Sequence, residues 1–152
     1  YAYAPPPYPV SYALVDALRA ETPPRYQYLI QDLFYDITLF SNRTLSAAAR
    51  KRADGKYDVT LQVETHKFKA DAKGNETEVP VNDWIEIGAF AKPPGSNKYG
   101  KTLHRERVLM QSGVQTYRFT VNVTPDKAGI DPFSLLVDRI PDDNTKTVDI
   151  GS

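Results

Sequence analysis

The most informative stretch of the sequence is AGIDPFSLLVDRIPDDN, residues 128–144. Its opening residues Gly129, Asp131 and Pro132 predict a tight corner, with positive φ at the glycine and an extended aspartate before the proline. The apolar run Phe133–Val137 follows and predicts a buried strand. Asp138-Arg139 and a Pro-Asp-Asp-Asn turn then end that strand. The stretch therefore predicts a strand held between two acidic turns.

The acidic residues of this stretch allow two interpretations. Carboxylates at Asp131, Asp138, Asp142 and Asp143 are hard oxygen ligands of the kind calcium binds, although their spacing does not match an EF-hand loop. Asp and Asn also cap turns through their own side chains without a metal. The structural role is the favoured interpretation, and we expect no metal ligand among these residues. The predicted turn and cap residues are Gly129, Asp131, Pro132, Asp138, Arg139 and Asn144. At least one of Asp131, Asp138 and Asp142 should accept hydrogen bonds from turn N–H groups or from Arg139.

Upstream of this stretch, polar and apolar residues alternate. The clearest case is Tyr57, Val59, Leu61 and Val63, which alternate with polar residues as in a half-buried antiparallel strand. About seven short strands follow one another with turn signals between them, so the pattern predicts a mainly β fold, an immunoglobulin-like antiparallel β-sandwich. A barrel is the alternative. The predicted core residues are Val59, Leu61, Ile85, Ile87, Phe119, Val121 and Leu135.

The first forty residues have a different pattern. Residues 1–9 (YAYAPPPYP) predict a Pro/Tyr-rich linker. Residues 10–40 predict a helical hairpin, whose second helix runs from about Pro23 to Leu39 and carries an apolar stripe. The β-sandwich then occupies residues 41–152, with its first strand from Thr44 to Arg52.

Composition excludes several classes of function. Nineteen basic and nineteen acidic residues balance, so nothing favours nucleic acid as a partner. The apolar runs span only a few residues, so no direct membrane insertion is expected. The chain has no cysteine, which excludes disulfides and thiolate metal sites. Its first residue is Tyr1 and not Met, so we expect the chain to be a fragment of something longer, or a processed chain.

The sequence contains no recognisable catalytic constellation. The histidines His66 and His104 lie in or beside separate strands without metal-ligand spacing, and no serine has the G-x-S-x-G context of a nucleophile. We therefore expect no catalytic residue and no cofactor within this fragment.

Several motifs together carry a family resemblance. They are TPP-x-x-QYL-x-x-DLF at 22–34, DG-x-Y at 54–57, DWI-x-IG at 83–88, AGIDP at 128–132 and DR-x-PDDN at 138–144. Over roughly residues 12–150 the chain resembles the C-terminal region of bacterial membrane proteins that join an ABC-type permease portion to a zinc aminopeptidase domain of the aminopeptidase-N type.

The resemblance implies an accessory domain with no enzyme activity of its own. Zinc and the catalytic residues would belong to the upstream peptidase domain of the same chain, which would be this domain's partner. The helical hairpin would end that domain or connect to it, at the extracytoplasmic (periplasmic) face of the bacterial inner membrane. The alternative is an independent peptide- or carbohydrate-binding module, for which Trp84 and Tyr99 are the aromatic residues to inspect.

Overall fold

The computed structural model describes residues 10–151, so the linker predicted for residues 1–9 lies outside the described residues. This part of the chain is mainly β, with two α-helices and nine strands. The elements in order are α1 (Ser11–Glu21), a 3₁₀ turn (Pro24–Tyr26), α2 (Tyr28–Phe34), β1 (Ile37–Lys51), β2 (Tyr57–Ala70), β3 (Glu76–Val79), β4 (Asn82–Phe90), β5 (Thr102–Gln111), β6 (Gly113–Val121), β7 (Lys127–Ile130), a second 3₁₀ turn (Pro141–Asp143), β8 (Thr145–Thr147) and β9 (Asp149–Gly151).

The prediction of one long helix from Pro23 to Leu39 was wrong at its C-terminal end, because α2 stops at Phe34 and β1 already begins at Ile37. From residue 40 onward, burial alternates along β1, with Phe40, Asn42 and Thr44 inside. A period of two places these three side chains on one face of a strand and would scatter them around a helix. The chain divides into two compact units between Thr38 and Leu39. No helix within residues 10–151 is long and apolar enough to cross a bilayer.

The strands form two sheets. In the first, the order is β3-β2-β1-β9, and β6 also pairs with β2, placing Val59 opposite Phe119. In the second, the order is β5-β4-β7-β8, with Ile87 of β4 opposite Ile130 of β7. The expectation of wholly antiparallel pairing was wrong at one place, because β1 and β9 run parallel, with Ala48 opposite Asp149.

The strand count differs from the predicted seven for local reasons. The short strands β3 and β7 were not predicted, and the strand that the sequence predicts near Lys146–Ile150 is divided into β8 and β9. The strand predicted at Phe133–Val137 is absent, and turns and an isolated bridge at Asp138 occupy that region.

One hydrophobic core joins the inner faces of the two sheets. Val59, Leu61, Val121, Ile85 and Ile87 are all buried in one cluster, as predicted. The prediction for Phe119 holds only in part, since this ring is partly buried against the cluster. The prediction for Leu135 was wrong, because its side chain is 60% exposed. Leu136 instead packs against the core from this region.

The backbone of residues 128–132 also departs from expectation. Gly129 lies in β7 between Gly88 and Thr145 and has no positive φ. It is needed for close approach instead, because a Cβ there would collide with the backbone of Asn144 and Thr145. Asp131 is not extended: its φ is +38°, a region that Asp tolerates better than most residues. Its N–H donates to the carbonyl of Glu86 at 2.7 Å, which secures this conformation.

Candidate functional site

We call residues 131–144 the acidic turn. Asp131 begins it and is only 2% exposed. Its Oδ1 accepts the N–H of Leu135 at 2.9 Å, and its Oδ2 accepts the N–H of Leu136 at 3.0 Å. Burial raises the pKa of the Asp131 carboxyl, the two backbone bonds oppose that shift, and the negative charges of Asp138 and Glu86 add to it. Asp131 therefore closes the turn with its own side chain.

Asp138 attaches the acidic turn to β1. Its Oδ2 accepts the N–H of Asn42 at 2.9 Å, and its Oδ1 accepts the N–H of Ile140 at 3.0 Å. The N–H of Phe40 donates to Val137 O at 2.8 Å, next to the bridge between Phe40 and Asp138. The predicted acceptor role of at least one aspartate in this stretch is thus confirmed by Asp131 and Asp138.

A buried polar network extends these contacts into the interior. The hydroxyl of Thr44 donates to Asn144 O at 2.6 Å, and the hydroxyl of Thr65 donates to Asn42 Oδ1. With the Asn144 amide oriented by its hydrogen-bonding partners, its nitrogen donates to Asn42 O at 2.7 Å and to Asp138 Oδ2 at 3.2 Å. The N–H of Ile130 donates to Asn144 O at 2.9 Å. The network therefore joins β1, β2, β7 and the acidic turn.

The acidic residues are not assembled around a common point. Asp142 is exposed, while burial and the charge of Asp138 raise the pKa of Asp143. Arg139 pairs with Glu76 and covers the ring of Phe68 at 4.7 Å, so it forms no bridge to the neighbouring aspartates. Across residues 10–151, no three His, Asp or Glu side chains are grouped to hold a metal ion.

The outer face of the second sheet carries an aromatic cluster. Phe90 is buried and stacks on Tyr99 with 4.4 Å between ring centroids, and Phe133 meets it edge-on at 5.6 Å. The Tyr99 hydroxyl donates to Pro132 O at 3.0 Å. The nearby Arg105 pairs with the buried Glu86 at 2.8 Å. Tyr99 is thus half-buried within the fold, and so is Trp84, so neither presents an open aromatic platform.

The two histidines are structural in their contacts. His66 Nδ1 lies 2.6 Å from Glu78 Oε1, and its Nε2 lies 3.6 Å from Glu64 Oε1. These carboxylates are on opposite edges of the ring and cannot share one metal ion with it. They raise the pKa of His66, with the Glu78 hydrogen bond as the largest cause. His104 stacks on Phe119 at 3.9 Å.

Sequence reasoning missed one buried ion pair. Lys67 Nζ lies 2.9 Å from Asp83 Oδ2, and both side chains are almost fully buried. Period-two alternation could have revealed it, because Lys67 follows Val59, Leu61 and Val63 on the inner face of β2. Asp83 precedes Ile85 and Ile87 in the same way on β4. The polar segment from Lys67 to Glu78, with Lys73-Gly74-Asn75 in it, predicts a hairpin rather than a continuation of the strand, so alternation alone did not indicate a buried lysine.

The acidic turn also displays apolar side chains to solvent. Phe133, Leu135, Val137 and Ile140 are exposed by 42%, 60%, 62% and 62% respectively. The hydrogen bonds of Asp131 and Asp138 hold the backbone that carries them. The turn is therefore a rigid surface feature with a buried polar base.

Comparison of the chain with protein-family models, with curated proteins and with solved structures found no match in any of the three.

Proposed function

We propose that this chain is a non-catalytic accessory region that packs beside the zinc aminopeptidase domain of a bacterial membrane protein, one that also contains an ABC-type permease portion. In this proposal the region lies on the extracytoplasmic side of the inner membrane. We call residues 10–38, the described part of the first compact unit, the helical unit. The observation that carries the proposal is the exposure of apolar side chains on this unit.

Nearly all residues of α1 are exposed, Tyr12 among them, and three exposed apolar side chains of the helix and its N-cap residue lie in one row. Val10, Leu14 and Leu18 are exposed by 64%, 60% and 40%, and their spacing of four places them in a single row, which we call the α1 stripe. On α2, Leu33 is 66% exposed. An apolar row on a helix is normally the face that packs against another element. The α1 stripe is therefore suited to a partner.

The helical unit has little to stabilise it alone. Its helices contain 11 and 7 residues, and isolated helices shorter than about 12–15 residues are marginal in water. Within residues 10–38, only Val15 and Ile30 are buried apolar side chains. Neither helix has an N-cap side-chain hydrogen bond. Packing on a preceding domain would supply the missing burial.

We call residues 39–151, the described part of the second compact unit, the β unit, and we propose that it is an immunoglobulin-like sandwich. In that fold, strands A, B and E share one sheet, while C, F and G share the other. Here β1, β2 and β6 lie in one sheet, and β4, β7 and β8 lie in the other in the corresponding chain order. Strand β5 extends the second sheet beside β4, as the additional C′ strand does. This correspondence supports the proposal, and β3 and β9 are additions to it.

The role of the motif residues supports an accessory function. Asn42, Asp138 and Asn144 direct their polar groups at one another and at backbone groups in the interior. A catalytic group must instead reach a substrate. The proposal therefore assigns zinc and catalysis to the upstream peptidase domain, and no residue between 10 and 151 is assigned to the metal.

An independent peptide-binding module is the second candidate. The exposed side chains of Leu135 and Val137 favour it, because they are apolar and held on a fixed backbone. The half-buried positions of Trp84 and Tyr99 do not add support for a carbohydrate platform.

Two measurements test the proposal. The purified chain should not hydrolyse aminoacyl-nitroanilides with or without zinc, and zinc-dependent turnover would overturn the non-catalytic role. In the longer parent protein, Leu14→Asp should loosen the helical unit, so that limited proteolysis cuts near α1. Asp16 is also exposed but lies two residues from Leu14, on the opposite face of the helix, so Asp16→Ser is the matched control and should leave the cleavage pattern unchanged. Equal cleavage of both variants would contradict docking through the α1 stripe.

A further inference from the structure

The pair Lys67–Asp83 connects the two sheets through the core. Lys67 extends from β2 and Asp83 from β4, and their side chains are only 6% and 7% exposed. Lys67 Nζ lies 2.9 Å from Asp83 Oδ2 and 3.3 Å from Oδ1. The Phe40 ring centroid is 5.5 Å from the same nitrogen. An amine and a carboxyl group are therefore held at contact distance between the two sheets, with the ring of Phe40 beside them.

A buried amine and carboxyl group can in principle exist as an ion pair or as two neutral groups. Removing an ammonium and a carboxylate from water carries a desolvation penalty that their attraction does not always offset. A neutral amine and a neutral carboxylic acid avoid that penalty, since low dielectric favours uncharged groups. These neutral forms are also the reactive ones for forming an amide. Fixed intramolecular geometry can raise the effective concentration of one group near the other to about 10⁵ M or more.

We propose that Lys67 and Asp83 condense into an inter-sheet isopeptide bond. A proton first moves from the Lys67 ammonium to an Asp83 oxygen, giving the amine and the acid. The nitrogen lone pair then attacks Asp83 Cγ, and the new C–N bond forms as the C–O bond to the hydroxyl breaks. The hydroxyl leaves with one amine proton as water, so no oxidant, reductant or further reactant takes part.

The bond would be a covalent cross-link between the two sheets of the β unit. It would close the chain between β2 and β4 and enclose the β2–β3 hairpin, because the two residues are 16 positions apart. A cross-link removes conformations from the unfolded chain and so resists unfolding. This inference does not depend on the proposed accessory function, because it concerns only the two sheets of this chain.

Intact mass measurement of the purified, folded chain tests the bond. The expected mass is lower than the sequence mass by about 18 Da, the loss of one water. Trypsin should fail to cleave after Lys67, and digestion should release a branched peptide that joins the segments around Lys67 and Asp83. A folded protein with the full sequence mass would overturn the proposal.

Lys67→Arg is the matched control. Arginine keeps the positive charge, but its guanidinium does not deprotonate in proteins and is no nucleophile here. This variant should therefore have the full mass. Dehydration at Asp54-Gly55 would also remove one water, but that loss would persist in Lys67→Arg and leave cleavage after Lys67 intact, a result that overturns the proposal. The branched peptide identifies the bond even where the variant fails to fold.

Discussion

Replacing Asp131 with alanine should destabilise the β unit through its acidic turn. The substitution removes both acceptors of the bonds from the N–H groups of Leu135 and Leu136, at 2.9 and 3.0 Å. A lost hydrogen bond to a charged group costs about 1.5–3 kcal/mol. Leu135 is exposed, so its N–H can bond to water in the variant, and only the lost bond to the N–H of Leu136 carries the full cost. Alanine at φ +38° adds roughly 1 kcal/mol of backbone strain.

The loss of a buried carboxylate partly offsets these costs, as the raised pKa of Asp131 shows. The expected net loss is about 2–3 kcal/mol, and near 4 °C per kcal/mol for a domain of this size this is roughly 8–12 °C in Tm. Thermal denaturation followed by far-UV circular dichroism measures it. The exposed Asp142→Ala is the matched control and should melt like the unmutated protein.

The contribution of Asp131 to folding stability should change with pH in one direction. Because the pKa of Asp131 is raised on folding, its charged form is disfavoured in the folded state. Its contribution to stability should therefore be most favourable below the ordinary Asp value of about 4 and decline as pH rises through the folded pKa. Asp131→Asn should remove this decline. An unchanged Tm in Asp131→Ala would refute the reasoning, and so would a Tm of the unmutated protein that falls with chelator and recovers with calcium.

Three further predictions concern other positions. Gly129→Ala should lower the free energy of unfolding by at least about 3 kcal/mol or prevent folding, because the added Cβ would collide with the backbone of Asn144 and Thr145. The soluble yield and the Tm, compared with those of the unmutated protein, measure this effect. The pKa of His66 is raised on folding, so His66→Gln should lower stability at pH below about 6.5 and have progressively less effect as pH rises through the folded pKa. Urea titrations at pH 5.5 and 8.5 measure this difference. An equal loss of stability at both pH values would contradict the prediction. Leu14→Gln should change the free energy of unfolding of the isolated chain by less than about 0.5 kcal/mol, because the Leu14 side chain is already exposed. A large drop in stability would mean that the α1 stripe is covered within this chain.

Period-two alternation predicted the parts of the fold that have one buried and one exposed face. Strand β2 is the clearest example, because Val59 and Leu61 alternate with polar residues that remain outside. In β4 the same alternation predicted only the buried inner face, whereas Glu86 and Phe90 on the outer face are buried as well. The covering aromatic cluster comes from Tyr99 and Phe133, which are distant in sequence. Local pattern cannot contain that information.

The acidic turn shows the limit of local reasoning most clearly. Its apolar run predicted a strand, but a strand needs neighbours for its N–H groups, and Asp131 accepts those of Leu135 and Leu136 instead. The capping role of aspartate was predictable from its short acceptor side chain. The partners Asn42 and Thr44 were not predictable, because β1 meets the turn only through tertiary structure about 100 residues away.

Hydrogen–deuterium exchange of α1 and α2 tests the central proposal most directly. The measurement compares the isolated chain with the longer parent protein under the same conditions, with β2 amides as an internal reference. Docking of the α1 stripe on a preceding domain predicts fast exchange of both helices in the isolated chain and slowing by at least about 100-fold in the parent, equivalent to a few kcal/mol of local stability. Equal exchange in the two proteins would contradict the accessory role proposed for this chain.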